Sequence, residues 1–435
     1  MALSTQPYKG ARDFYPEDKR VQKYMFNILR SVAERYGYEE YDAPILEPLE
    51  IYTAKSGEEI VNEQTYTFED RGGRQVVIRP EMTPTVSRMV AARRQELGYP
   101  LRWYSIPNLW RYERPQRGRL REHWQLNVDI FGVATMAAET EIITVINDMF
   151  KQFGATSNMY RIKVNSRQLI NYLLRDHLEL SEKQAHEISK LIDRMNKMDR
   201  EQFIAKTEAV LGAEAKVKGT TETLMTLLAC TSIIELPQSV QELEYVKELQ
   251  TVLSQLEKNG ITNATFDLSL MRGFDYYTGI VFEVFDTHPD NNRSMLGGGR
   301  YDGLVGLFGV DPVPTVGFGW GDVTLQNFLE IHSLMPELSS ETNLYVVLVG
   351  DMTEDAQPVI AEFRSNGITV AVDLSGRKIG DQLKTASKKN ITHAIVIGES
   401  EIQGGTYTCK NLDTGEEMSG NVDVLSRMLN SYARN

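Results

Sequence analysis

Apolar positions in residues 17–36 recur at spacings of three and four (Val21, Met25, Ile28, Leu29, Val32, Tyr36), which predicts an amphipathic helix. Gly37 follows, then the short extended piece 41–46. Pro44 brings no ladder donor and suits an edge strand or an interface. The pattern changes to period two at 106–114 and 122–132, read as two strands joined by an arginine-rich loop carrying Gly118. In the second strand Leu126, Val128 and Ile130 turn to a core, and Gln125, Asn127 and Asp129 line the opposite face. Helical spacing returns from about 165 to 260 (Leu169, Tyr172, Leu173; Ile188, Leu191, Ile192, Met195), as a helical insertion. Beta-rich, glycine-rich sequence resumes over 264–321. After a polar linker at 336–342, apolar strands at 344–349, 368–372 and 394–397 alternate with helices, one of them the basic stretch 377–389. That alternation predicts a separate three-layer α/β domain.

Length and composition narrow the classes. A chain of 435 residues suggests about two to four domains, and 41% hydrophobic with 25% charged side chains is ordinary for a soluble globular protein. The formal charge of −13 excludes a globally basic nucleic-acid coat or a polybasic membrane binder, but a local basic surface stays open. No apolar run approaches the roughly 18–20 residues that span a bilayer, so no membrane partner is expected. Residues 1–20 are polar and lack the apolar stretch of a secretory signal. Two distant cysteines, Cys230 and Cys409, without a CxxC pair fit a reducing, cytoplasmic setting. The six histidines show no ligand spacing, and no protein-held metal is expected.

Four clusters could carry chemistry. Five arginines fall within 111–121, where repulsion would be relieved by a bound polyanion; a solvated hairpin tip with local Glu–Arg pairs is the bland alternative. Arg111, Glu113, Gln125 and Asp129 could floor a pocket for a zwitterionic or phosphorylated ligand, or line a sheet face simply open to water. In Arg79-Pro80-Glu81-Met82-Thr83-Pro84 two prolines stiffen the chain around a carboxylate and a hydroxyl, groups suited to an ammonium. The segment 272–279 combines Arg272 with the tandem Tyr276-Tyr277, which suits a ring-bearing or anionic ligand, or a core. Last come the glycine series 297–303 and 317–321. Neither is a Walker A loop or a GxGxxG. Alternating glycines would let a flat base lie on the strand backbone, with bulges at a packed sheet corner as the alternative.

In this order the clusters resemble a class II aminoacyl-tRNA synthetase, and specifically the histidyl-tRNA synthetase family, over essentially the whole chain. The resemblance implies an α+β catalytic domain at 1–335, an antiparallel sheet with flanking helices, holding the helical insertion 165–260. It also implies a C-terminal α/β anticodon-binding domain at 343–435. Helix 17–36 with Pro44 resembles motif 1, the dimer-forming element, so a homodimer is expected. Residues 111–122 with 125–132 resemble motif 2, and 315–325 motif 3. By resemblance Arg111 and Arg272 are catalytic and grip the ATP α-phosphate. Glu81 and Thr83 receive the amino group of L-histidine, and Gln125, Asp129, Tyr276, Tyr277 and Tyr301 surround it. Glu113, Arg119 and Gly319 complete an ATP site, with Mg2+ arriving with ATP. Gln116 and Arg117 reach the acceptor end of tRNA(His), and Lys378, Lys384 and Lys388 contact its phosphates. The implied activity is ATP-dependent histidine–tRNA ligation through an adenylate. The alternative is a non-charging, histidine-binding relative such as the regulatory subunit of ATP phosphoribosyltransferase. One departure stands out: motif 3 usually ends in Glu-Arg, and Thr324 falls where that arginine belongs, leaving Arg119 or Arg300 as substitutes.

Overall fold

The computed structural model describes residues 3–53, 64–195, 198–271 and 276–432, apart from the side chains of 213–217. The chain divides into two compact units, Met1–Tyr15 with Val21–Met335 and Pro336–Asn435 with Pro16–Arg20.

The first unit is built on one large sheet. Among the described residues its strands run in the order Glu39–Glu40, Leu101–Ser105, Glu122–Phe131, Thr315–Gly321, Ser294–Arg300, Ile280–Asp286, Tyr160–Ser166 and Ala264–Phe266. The two outermost pairings are parallel and those between are antiparallel. The anticipated pair of strands is present, but the first is short, Asn108–Trp110, and the chain leaves the ladder before Arg111. The strand Leu101–Ser105, which pairs along Glu122–Phe131, escaped the sequence pattern. Its alternation is blurred because Arg102 turns back to bind Glu141 (2.7 Å) instead of meeting water alone.

Antiparallel register explains the two faces, because directly paired residues point to the same side. Leu126, Val128 and Ile130 pair with Trp320, Phe318 and Val316, and all six are buried. The helix Ala137–Gln152 covers that face, with Phe150 stacked on Tyr160 (4.1 Å between ring centres) and tilted on Trp320 (4.6 Å). The amphipathic helix foreseen at 17–36 is Pro16–Arg35 and adds Met25, Leu29 and Val32 to the same core. The last helix of the inserted stretch, Glu244–Lys258, also enters this core through Val246, Leu249, Val252 and Leu256. Its Gln255 accepts from Thr140 at 2.8 Å. The helical stretch is thus anchored in the main core at its C-terminal end.

A three-stranded sheet, Leu46–Pro48, Gln75–Ile78 and Tyr66–Glu69, stands apart from the large one. The second unit has a five-stranded sheet in the order Val370–Val372, Leu344–Leu348, His393–Ile397, Tyr407–Asn411 and Glu417–Gly420. The first three strands are parallel and the last two antiparallel. Helices Gln357–Ser365, Ile379–Lys388, Glu399–Gly404 and Val422–Tyr432 accompany it. In the basic helix Ala386 is buried, Ile379 is 40% exposed, and the buried residue of the first turns is Gln382. Gln382 accepts from the Leu348 N–H (3.1 Å) and donates to the Leu348 carbonyl (2.9 Å), so an amide staples the helix to the strand end.

Candidate active site

The uncovered face of the large sheet carries two adjoining cavities, of about 80 and 230 Å³. Arg111, Gln125, Gly297 and Gly319 line both, so the smaller chamber opens into the larger cleft across Arg111 and Gln125. Register places the floor: Asp129, Asn127 and Gln125 pair with Gly317, Gly319 and Gly321, and Gly299 and Gly297 pair in turn with Gly317 and Gly319. A Cβ at Gly317 would run into Asp129 Oδ1, and one at Gly319 would stand 2.9 Å from Gln125 Cδ. The glycines therefore make room for polar side chains laid across the sheet. Of the two glycine series, Gly297, Gly319 and Gly321 line the larger cleft.

The small chamber is walled by Glu81, Thr83, Tyr276, Tyr277 and Tyr301. The helix Thr83–Ala92 starts here with Pro84 preset in its first turn, so Glu81 sits on the rigid approach to a helix. Tyr276 donates to Glu81 Oε2 (3.2 Å), and Glu81 is 3% exposed. The Tyr276 and Tyr277 rings lie 4.9 Å apart, and Tyr276 meets Tyr301 edge-on at 5.7 Å. At the bottom the Tyr301 hydroxyl donates to Asp129 Oδ1. Burial pushes the Asp129 carboxyl up to about 7, with the tyrosine bond opposing the shift. Burial also holds the Tyr276 and Tyr301 hydroxyls well above their ordinary range, so both remain donors.

Arg111 bridges the two spaces. Its Nε donates to the Pro80 carbonyl (2.9 Å), and its terminal nitrogens have no partner among the described residues. Beyond it the larger cleft holds Glu113, Gly118, Arg119, His123 and Glu283. Arg119 lies 3.8 Å from Glu113. Burial, with Arg111 and Arg12 nearby, holds His123 down at about 3, so its ring is neutral at physiological pH. Glu283 and His123 were not singled out from the sequence as site residues. The signal for Glu283 was a carboxylate in the middle of an otherwise apolar run, 280–285: it pairs with Gly297, which turns it to the cleft, where Ser294 donates to it at 3.0 Å.

The structure brings Glu81, Thr83, Gln125, Asp129, Tyr276, Tyr277 and Tyr301 around one chamber, and Glu113, Arg119 and Gly319 along the adjoining cleft. Arg272, with residues 273–275, lies outside the described residues. Arg300 is the clear correction. It does not line the cleft but is buried in a bidentate pair with Glu139 (2.6 and 2.7 Å), which removes it as a substitute for the missing arginine. Thr324 does line the cleft, its hydroxyl 2.8 Å from the Met295 carbonyl. Gln116 and Arg117 stand exposed on a turn closed by reciprocal backbone bonds between Gln116 and Arg119, with Gly118 at φ +77°. Not every arginine of that run faces a ligand: Arg121 stacks on Tyr112 (4.1 Å) and donates to the Glu113 carbonyl.

In the second unit Lys378, Lys384 and Lys388 are exposed, and Lys384 reaches only 4.0 Å from Asp381. Arg377 is withdrawn from that basic face by Asp373 (3.0 Å) and Thr385 (3.0 Å).

Residues 10–321 match the family model for histidyl-tRNA synthetase, and 343–431 match that of an anticodon binding domain. A histidine–tRNA ligase of Leptospira biflexa is 44% identical over 412 residues, 94% of each chain. The crystal structure of histidyl-tRNA synthetase from Nostoc superposes with a TM-score of 0.83 at 22% identity, covering 99% of this chain and all of that one. An ATP phosphoribosyltransferase regulatory subunit/histidyl-tRNA synthetase from Bacillus halodurans superposes at 0.75 with 23% identity, covering 91% of this chain and 99% of that one. The two structural likenesses establish the shared fold. That fold is the one used by class II aminoacyl-tRNA synthetases. Within the class, this chain belongs to the histidyl-tRNA synthetase family.

Proposed function

We propose that the chain ligates L-histidine to tRNA(His) through a histidyl-adenylate, with the small chamber taking histidine and the adjoining cleft taking Mg2+-bound ATP. The observation that carries this reading is the junction: an amino-acid-sized polar chamber opens into a larger cleft across one arginine, Arg111. Glu81 supplies the carboxylate for the α-ammonium, and Thr83 stands beside it. The Asp129–Tyr301 pair at the chamber floor meets the imidazole. Arg111 then holds the histidine carboxylate and the α-phosphate together, which converts a two-body encounter into an oriented one. A carboxylate oxygen attacks the α-phosphorus, and pyrophosphate leaves as the mixed anhydride forms. Charge that builds on the α-phosphate oxygens falls on Arg111, the electrostatic role expected in phosphoryl transfer; Arg272 shares it by family resemblance. In the second step the 3′-hydroxyl of the terminal adenosine attacks the carbonyl carbon and AMP leaves. Glu113 faces the adenine, and Glu283 is a second carboxylate from which the magnesium of the substrate is reached.

The turn 116–119 contacts the acceptor end, and Lys378, Lys384 and Lys388 contact tRNA phosphates. The active form is a cytoplasmic homodimer. Support for the dimer comes from the three-stranded sheet: Glu47 and Val77 face inward, while Leu46 and Phe68, on the other face, are each 45% exposed.

Histidine-dependent ATP–pyrophosphate exchange followed by tRNA(His) charging tests the proposal. Folded protein that binds histidine but neither exchanges pyrophosphate nor charges tRNA would instead favour the regulatory-subunit reading, whose fold is shared.

A further inference from the structure

Two short segments meet at the mouth of the larger cleft. One is the turn 288–293, between the strands Ile280–Asp286 and Ser294–Arg300; the other is the loop 111–121. The turn is fixed from below by Asp286, whose side chain is fully buried. That carboxylate accepts from the His288 backbone N–H (2.8 Å) and from Asn291 Nδ2 (2.7 Å), and it lies 2.8 Å from His332 Nε2. On its outer side the turn makes two reciprocal bonds with the loop. Arg293 Nη1 donates to the Arg117 carbonyl (2.7 Å), and Arg117 Nη1 donates to the Asp290 carbonyl (3.2 Å). The residues next in line, Gly118 and Arg119 on one side and Ser294 on the other, line the cleft. Gly118 also stands against Thr324, since a Cβ added there would lie 3.8 Å from Thr324 Cγ2. Both guanidiniums bond carbonyls, and neither has an ion-pair partner among the described residues. A carboxylate buried with three donors is the kind of support that makes a loop post rigid.

We propose that Arg293 is a positioning residue for ATP: it pins Arg117 and thereby holds Gly118 and Arg119 against the end of the cleft where Thr324 brings no charge. The proposal rests on the synthetase reading of that cleft. In R293A the KM for ATP in pyrophosphate exchange should rise about three- to tenfold, the range for one lost, exposed, charge-assisted bond. The KM for histidine and the melting temperature should not move, and backbone amides around 116–119 should exchange hydrogen faster. R293K should recover part of the effect. R117A removes the other bond of the same latch, so the double variant should cost less than the product of the singles. An unchanged KM for ATP, an equal rise in both KM values, or unchanged amide exchange in R293A would each overturn the proposal. Amide exchange is read without catalysis. A wild-type protein unable to exchange pyrophosphate would therefore sink the ligase reading, and the latch would then stand or fall on loop exchange alone.

Discussion

Asp129 is the residue on which the chamber turns. Its carboxyl is buried at the sheet floor, pushed up to about 7 from an ordinary value of 3.8, because burial penalises the charge more than the Tyr301 hydroxyl relieves it. The linkage has a definite sign. A carboxyl raised in the folded state keeps its proton there while the unfolded chain has lost it, so stability drains away as pH climbs from about 4 to about 7. D129N carries no such penalty. In the absence of histidine its melting temperature should exceed that of wild type at pH 8, and the difference should shrink at pH 5.5. On the proposed reading, histidine binding moves the other way. An ionised Asp129 accepts from a neutral imidazole, so the KM for histidine should fall in wild type as pH rises from 6 to 8, and D129N should be weaker and flat. A wild-type profile matching that of D129N would remove Asp129 from recognition. G317A bears on the same atom. Its Cβ would displace the Asp129 carboxylate, and a cost of about 1–3 kcal/mol, the usual range for an overpacked site, should appear mainly as lost histidine affinity.

At the scale of elements, the buried Arg300–Glu139 pair ties the strand Ser294–Arg300 to the first turn of the helix Ala137–Gln152. Arg300 also reaches the Val133 and Thr135 carbonyls, so it fixes the chain entering that helix. R300M should strand Glu139, which is 0% exposed, at a cost on the order of 3–5 kcal/mol by urea denaturation. Replacing both partners with apolar residues should recover much of that loss; if R300M alone proves neutral, the pair has no structural weight. The sequence could not separate this arginine from a ligand-binding one. Its neighbours Gly297, Gly298 and Gly299 mark a close-packed strand, but the partner Glu139 lies 161 residues away in sequence. The arginine run has the same character. Local pattern finds five like charges, and only packing sorts Arg121, stacked on Tyr112, from Arg111, which faces the site.

At the scale of the whole molecule, acidic totals and basic patches act together. The net charge of −13 opposes indiscriminate nucleic-acid binding, and on the proposed reading the exposed lysines of the second unit supply local contact. Changing Lys378, Lys384 and Lys388 to Glu should raise the KM for tRNA(His) and flatten its salt dependence, with pyrophosphate exchange unaltered. Unchanged tRNA affinity would dismiss that face. L46E with F68E should convert the proposed dimer into a monomer by analytical ultracentrifugation; persistence of the dimer would place its interface elsewhere.

The walls of the chamber were named by family resemblance. The sequence by itself determined the two-unit order, the amphipathic helix Pro16–Arg35 and the polar face of Glu122–Phe131. These follow from period and residue type, which act over a few neighbouring positions. Tertiary structure decided the rest. It filled the space above Gly317 with Asp129, turned Glu283 to the cleft opposite Gly297, and drew Arg300 and Arg377 away from ligands into pairs with Glu139 and Asp373. Each outcome depends on strand register or on a partner distant in the chain. A charged side chain takes whichever partner folding brings within reach, and no local pattern encodes that choice.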